Sequence, residues 1–85
     1  MITKKINEAK ENNALIIGTN KTLKALKNGE AKQVYLASNA KKEVLEDVEY
    51  YADLNDTTYE QLTVNNKELG NMCKKPFNIQ LIATR

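Results

Sequence analysis

Helical and strand-forming patterns alternate along this 85-residue chain, and that alternation constrains its fold more than any other feature. Parallel strands that are separated by helices need crossover connections, which place helices on both faces of a sheet. The sequence therefore predicts an α/β protein, a single small domain over residues 1–85 built as a three-layer α/β/α sandwich. The predicted helices span 3–12, 20–28, 41–54 and 66–73, and the predicted strands span 14–17, 33–37, 58–62 and 77–84.

The turn after the first predicted strand combines features that suit an anion. The apolar residues 14–17 predict a buried strand that ends at Gly18, and a helix follows at once, with Thr19 or Asn20 as its predicted N-cap. The first N–H groups of a helix are free and lie at the positive end of its dipole. Asn20 adds a side chain with donors and an acceptor, which can recognise the edge of a base. The alternative is an ordinary capped helix.

Charge is strongly segregated along the chain. Residues 1–42 carry a balance of +6, residues 43–64 carry seven acids and no base, and residues 65–85 carry a balance of +3. If the two basic segments meet in space, they form the positive surface that is typical of a polyanion-binding protein. The alternative is that the lysines simply solvate helices. Three lysines follow the glycine turn at intervals of three residues and would lie along a phosphate backbone. They are Lys21, Lys24 and Lys27.

A second basic segment precedes the last predicted strand. Lys74 and Lys75 stand beside Pro76 and the aromatic Phe77, a combination that suits RNA, whose unstacked bases pack on side chains. Phe77 also fits a second prediction, because it alternates with polar residues in the pattern of a strand with one buried face. In that case Phe77 begins the core face of the strand, which continues with Ile79, Leu81 and Ala83.

Missing residue types narrow the chemistry. The chain has no histidine and one cysteine, Cys73, so a zinc site and an internal disulfide are close to excluded and the commonest general acid/base is missing. We expect no catalytic residue, metal or cofactor, and Cys73 as a small core residue. The longest apolar run, 14–17, is far below the ~18 residues of a membrane helix, and the N-terminal residues lack the apolar core of a signal peptide. We therefore expect a cytoplasmic protein without a membrane partner.

Three blocks of the sequence resemble the kink-turn RNA-binding ribosomal protein family, in its archaeal and eukaryotic large-subunit branch. The first block, 18–29, contains the glycine turn and the helix after it. The second, 47–54, contains Glu49-Tyr50-Tyr51, and the third, 65–77, contains Glu68-Leu69-Gly70, Cys73 and Lys75-Pro76-Phe77. The resemblance extends over residues 4–83.

The resemblance implies a mixed four-stranded sheet, no catalysis and binding to a purine-rich kink-turn or internal loop of ribosomal RNA. It implies a structural constituent of the large ribosomal subunit, located in the cytoplasm on the ribosome, monomeric outside the particle and next to other ribosomal proteins. The residues that it places on RNA are Gly18, Asn20, Lys21, Lys24, Asn39 and Phe77. The glycine turn and the two basic segments themselves add Thr19, Lys27, Lys74 and Lys75.

The chain departs from the family pattern at several points. Lys21 stands where some relatives have a glutamate that bonds guanine, and Lys74 stands at a usual glycine position. The acidic, glycine-containing tail of close relatives is missing after Arg85. Two alternative functions therefore stay open: a stand-alone kink-turn protein of another RNA–protein particle, and the RNA-recognition domain of an RNA-modifying enzyme.

Overall fold

The computed structural model describes residues 2–12 and 14–85, which alternate between helices and strands as the sequence predicts. The helices are α1 (Ile2–Glu11), α2 (Thr19–Lys27), α3 (Lys42–Leu54) and α4 (Asn66–Met72). The strands are β1 (Leu15–Ile17), β2 (Gln33–Leu36), β3 (Thr58–Gln61) and β4 (Leu81–Thr84). All of the predicted elements are present in the predicted order, with ends that differ by a few residues.

The four strands form one mixed sheet in the order β1-β4-β2-β3. β2 and β3 are parallel, whereas β4 is antiparallel to both β1 and β2. It follows that β1, β2 and β3 point the same way, so their carboxyl ends and the start of β4 lie at the same edge of the sheet. We call this the carboxyl edge.

Two apolar cores cover the two faces of the sheet. α2 and α3 pack on one face, where Leu26 and Val48 meet Val34 and Leu81. α1 and α4 pack on the other face, where Ile6 and Leu69 meet Tyr35 and Ile82. The α/β/α sandwich is thereby confirmed.

The predicted burial of two strands needs correction. β4 has two buried faces rather than one, because it lies between β1 and β2 under helices on both sides, and Leu81, Ile82 and Ala83 are all buried. β4 also begins only at Leu81, so the alternation from residue 77 is not a strand pattern. β1 is an edge strand in which only Ile16 is fully buried.

The predicted N-cap of α2 is also wrong. The N-cap is Gly18, at φ 109° and ψ 150°, and no side chain caps the helix. Glycine adopts this backbone conformation readily, so the chain enters the helix one residue earlier than a Thr19 cap would allow. The hydroxyl of Thr19 instead accepts a hydrogen bond from Gln80 Nε2 at 3.2 Å. At the other end of α2, Gly29 follows the C-cap Asn28 and has a φ of 72°, a left-handed conformation in which glycine commonly ends a helix.

Candidate nucleic-acid interface

The carboxyl edge gathers three segments that are far apart in sequence. They are the Gly18 turn after β1, the loop after β2 that carries Asn39, and the start of α4 after β3. Together with Phe77 they line a hollow of about 320 Å³, which we call the turn hollow. Loops that follow parallel strands meet in this way at one edge of an α/β sheet. The glycine turn and the segment before β4 therefore meet at this edge.

Two amide side chains hold the helix starts around the turn hollow. Gln80 donates to Thr19 Oγ1, and its Oε1 accepts from the Lys41 backbone N–H at 3.1 Å, so it links the starts of α2 and α3. Asn39 Oδ1 accepts from the Asn66 N–H at 2.8 Å, and Asn39 Nδ2 donates to Asn66 Oδ1 at 3.1 Å. No sequence pattern indicates the roles of Gln80 and Asn66, because a bond between distant segments leaves no local signal.

A second, larger hollow lies beside the first. It encloses about 600 Å³ against β1, and the cations that line it are Lys21, Lys24, Lys75 and Arg85. We call it the cationic hollow. Lys21 and Lys24 come from α2, Lys75 from the segment after α4, and Arg85 from the end of the chain. The two basic segments of the sequence therefore do meet in space.

Phe77 lies between the two hollows and lines both of them. Its side chain is 56% exposed and lies outside β4, which decides between the two predictions for this residue in favour of the surface. Its neighbour Ile79 is buried in the α1–α4 core, whereas Leu81 belongs to the opposite core. The alternation of apolar and polar residues from residue 77 therefore includes one residue at the surface, one in the α1–α4 core and one in the α2–α3 core.

Close packing against α4 fixes the position of Phe77. A Cβ on Gly70 would overlap the carbonyl oxygen of Phe77 and come within 3.2 Å of its carbonyl carbon. The Lys75 N–H donates to the Gly70 carbonyl at 3.0 Å, and the Ile79 N–H donates to the Asn66 carbonyl at 3.0 Å. Glycine inside a seven-residue helix therefore permits the backbone approach that presents Phe77.

Three of the predicted RNA-binding residues lie apart from both hollows. Asn20 is exposed on α2 and lines neither of them. Lys27 lies over the ring of Tyr51, with its Nζ 5.0 Å from the ring centroid. Lys74 adopts φ 58° and faces a small hollow that also contains Asn7 and Lys10 of α1. A repeat of three residues drifts around a helix, which explains why Lys27 leaves the surface that Lys21 and Lys24 share.

Cys73 ends α4 and is fully buried, as predicted for a core residue. Burial raises the pKa of its thiol, against the opposing effect of the nearby Lys10 and Lys75 ammonium groups. Among the side chains that the structure describes, no three His, Cys, Asp or Glu groups cluster in a way that could hold a metal. No helix within the described residues is long and apolar enough to cross a membrane.

The fold and the site define a class of small α/β/α proteins that carry a cation-lined surface at the carboxyl edge of a mixed sheet. The model of the Ribosomal protein L7Ae/L30e/S12e/Gadd45 family matches residues 1–85. The chain belongs to this family, as its three sequence blocks predict.

Curated relatives narrow the similarity further. The chain is 40% identical over 78 residues to the large ribosomal subunit protein eL30 of Methanocaldococcus jannaschii, covering 92% of this chain and 71% of that one. It is 45% identical over 67 residues to the protein of the same name from Archaeoglobus fulgidus, covering 79% and 73%. Both relatives are large-subunit proteins, which agrees with the large-subunit branch predicted from the sequence.

Solved structures support the fold independently. The 15.5kD RNA binding protein of Giardia lamblia superposes with a TM-score of 0.83 at 18% identity, covering 98% of this chain and 69% of that one. A Bacillus halodurans protein of unknown function superposes with a TM-score of 0.82 at 20% identity, covering 93% and 78%. At these identities the likeness concerns the fold alone.

Proposed function

We propose that this protein is a structural constituent of the large ribosomal subunit that binds a kink-turn-like internal loop of ribosomal RNA. The observation that carries the proposal is the convergence of the Gly18 turn, the start of α4 and Phe77 on one hollow, beside a second hollow lined by four cations. The names of the curated relatives support the same function.

The start of α2 supplies a phosphate site. Because Gly18 caps the helix without a side chain, the first N–H groups of α2 stay available to an anion at the positive end of the helix dipole. Within the described residues, nothing lies within 4 Å of the position that a Cβ on Gly18 would take. The turn is therefore open to an RNA backbone as well as conformationally suited to it.

The two hollows suit the two parts of a bent RNA. Lys21, Lys24 and Lys75 neutralise phosphates that a sharp bend brings together, which makes binding salt-dependent. Proteins recognise RNA loops largely by stacking side chains on bases that the loop has already unstacked. Phe77, exposed between the hollows, offers its ring to such a base.

The remaining residues have supporting roles in the proposal. Asn20 recognises a base edge from the exposed side of α2. Asn39 orients the start of α4 and keeps one N–H of its amide for RNA, since the other bonds Asn66. Lys27 and Lys74, outside the hollows, contact phosphates that flank the loop. The protein performs no catalysis, works in the cytoplasm on the ribosome and is monomeric outside it.

Binding to matched RNAs tests the proposal. The purified chain should bind a kink-turn RNA far more tightly than a straight duplex of equal length, with log affinity falling as log salt rises. Asn20→Ala should cost about 1–3 kcal/mol and reduce the preference for the bent RNA. Lys27→Ala is the matched control on the same helix, and should weaken both RNAs alike and flatten the salt slope by about one. Equal affinity of the wild-type chain for both RNAs would refute the proposal.

Sedimentation of cell extract distinguishes the ribosomal role from a stand-alone kink-turn protein. The ribosomal role requires that the chain sediment with large subunits and remain there after a high-salt wash. A protein of another RNA–protein particle would sediment elsewhere, while still preferring the bent RNA.

A further inference from the structure

The chain exposes three large apolar side chains far from the proposed RNA interface. Tyr50 is 62% exposed, Leu54 is 64% exposed and Tyr59 is 41% exposed. All three belong to the second half of α3 or to β3, and we call this surface the α3–β3 face. Exposed apolar side chains that group together on a small soluble protein commonly mark an interaction surface.

Carboxylates surround these side chains. Tyr50 and Tyr59 line a hollow of about 700 Å³ between α3 and β3, and the acids that line it with them are Glu46, Glu49, Asp53 and Asp56. Residues 43–64 contain no Lys or Arg at all. Among the side chains that the structure describes, one ion pair forms within 4.0 Å, between Lys42 and Glu46 at the start of α3. The other three carboxylates of the hollow have no cation within 4.0 Å among those described side chains.

The backbone of β3 adds a third feature. β3 is an outer strand of the sheet, paired to β2 on one side only, and all four of its residues are exposed. Its free side presents unpaired N–H and C=O groups, which another extended chain can pair with. Since the hollow lies at the start of β3, it is at the opposite end of the strands from the carboxyl edge.

We propose that the α3–β3 face docks an arginine-rich, extended segment of a partner protein. Guanidinium groups pack on tyrosine rings and form paired bonds with carboxylates, so one residue type satisfies both kinds of side chain in the hollow. The extended backbone between the arginines pairs with the free side of β3. RNA does not fit this face, because its phosphates meet only negative charge there. The inference stands apart from the RNA interface and does not depend on it.

Anisotropy of a fluorescein-labelled deca-arginine peptide tests the docking site. The matched pair of double variants is Glu49→Gln/Asp53→Asn in the hollow and Glu8→Gln/Glu11→Gln on the exposed side of α1, which remove equal charge. The hollow variant should lose about fivefold in peptide affinity, the value expected for two exposed ion pairs, and the α1 variant should lose less than twofold. The double variant Tyr50→Ala/Tyr59→Ala should bind the peptide five- to tenfold more weakly than the wild-type chain does. Deca-lysine should bind the wild-type chain more weakly than deca-arginine does.

Three results would overturn the proposal. They are an absence of peptide binding, an equal loss in both charge variants, and a dimer in sedimentation that the hollow variant dissociates. The last would assign the face to a second copy of this chain. Affinity for the kink-turn RNA, measured on the same variants, should be unchanged, so a failure of RNA binding is seen separately from a failure of docking.

Discussion

For the substitution Gly70→Ala, helix propensity and tertiary structure predict changes of opposite sign in the free energy of unfolding. Gly70 lies in the middle of α4, where glycine costs about 1 kcal/mol of helix stability relative to alanine. Propensity alone therefore predicts that Gly70→Ala stabilises the protein. In the folded chain, however, the new Cβ would overlap the carbonyl oxygen of Phe77 and lie 3.5 Å from the Cα of Asn78.

The size of the effect follows from what must move. The obstacle is backbone, which has no alternative rotamer, so residues 77 and 78 or the whole of α4 must shift by roughly 1 Å to reach normal contact distances. Overpacking of this kind costs about 1–3 kcal/mol, and a rigid obstacle favours the upper end. After subtraction of the gain in propensity, we expect Gly70→Ala to lower the free energy of unfolding by about 1–2 kcal/mol. In a domain of this size that lowers the melting temperature by roughly 4–16 °C.

Urea titration and a thermal melt measure this change. Asn71→Ala is the control, because it makes an alanine at the next, exposed position of the same helix and should stabilise the protein by about 0.5 kcal/mol. A displaced Phe77 should also weaken binding of a kink-turn RNA. If Gly70→Ala raised the melting temperature as Asn71→Ala does, the close approach of α4 to the Phe77 segment would be refuted.

The remaining predictions concern one side chain each. Phe77→Ala should leave the melting temperature nearly unchanged and weaken kink-turn RNA binding by about 1–3 kcal/mol, since the ring is exposed; a large fall in melting temperature would instead make Phe77 a core residue. Asn65→Ala should cost about 1 kcal/mol in urea unfolding, because Asn65 Oδ1 caps α4 by accepting from the Glu68 N–H at 2.9 Å; an unchanged midpoint would contradict that cap. Lys74→Asn should raise the free energy of unfolding by about 1 kcal/mol in the same assay, since Lys74 has φ 58° and asparagine tolerates the left-handed region better. A destabilised variant would show that the contacts of the lysine side chain stabilise the fold by more than its left-handed backbone conformation destabilises it.

Much of the candidate site could be predicted because its signals are local. The Gly18 turn combines a strand end, a glycine and a helix start within a few consecutive residues, and each leaves its mark in the sequence. Lys21 and Lys24 follow on the same helix, so the turn places them on the same side. The exposure of the acids on α3 can also be predicted locally, because Val44, Val48 and Ala52 recur at helical spacing and define the buried side of the helix.

Apart from the N-cap of α2, the features that the sequence does not reveal concern relations between distant residues. Phe77 shares its parity with Leu81, but parity has meaning only inside a strand, and the strand begins after both Phe77 and Ile79. Spacing places Lys27 in one series with Lys21, yet its ammonium group lies over the ring of a tyrosine from another helix. Gln80 has no local feature that distinguishes it from the other polar residues of the segment 77–84, and its partner Thr19 is 61 residues away.

The sequence by itself determined the α/β class, the order of the elements and the separation of basic from acidic segments, because periodicity and composition act over a few residues at a time. Only the tertiary structure decided that β4 is inserted between β1 and β2. That insertion buries both faces of β4 and brings Lys75 beside Lys21, while the close packing of α4 fixes Phe77 outside the strand. Strand order and register depend on contacts between segments far apart in the chain, and the free energy of those contacts belongs to no single segment.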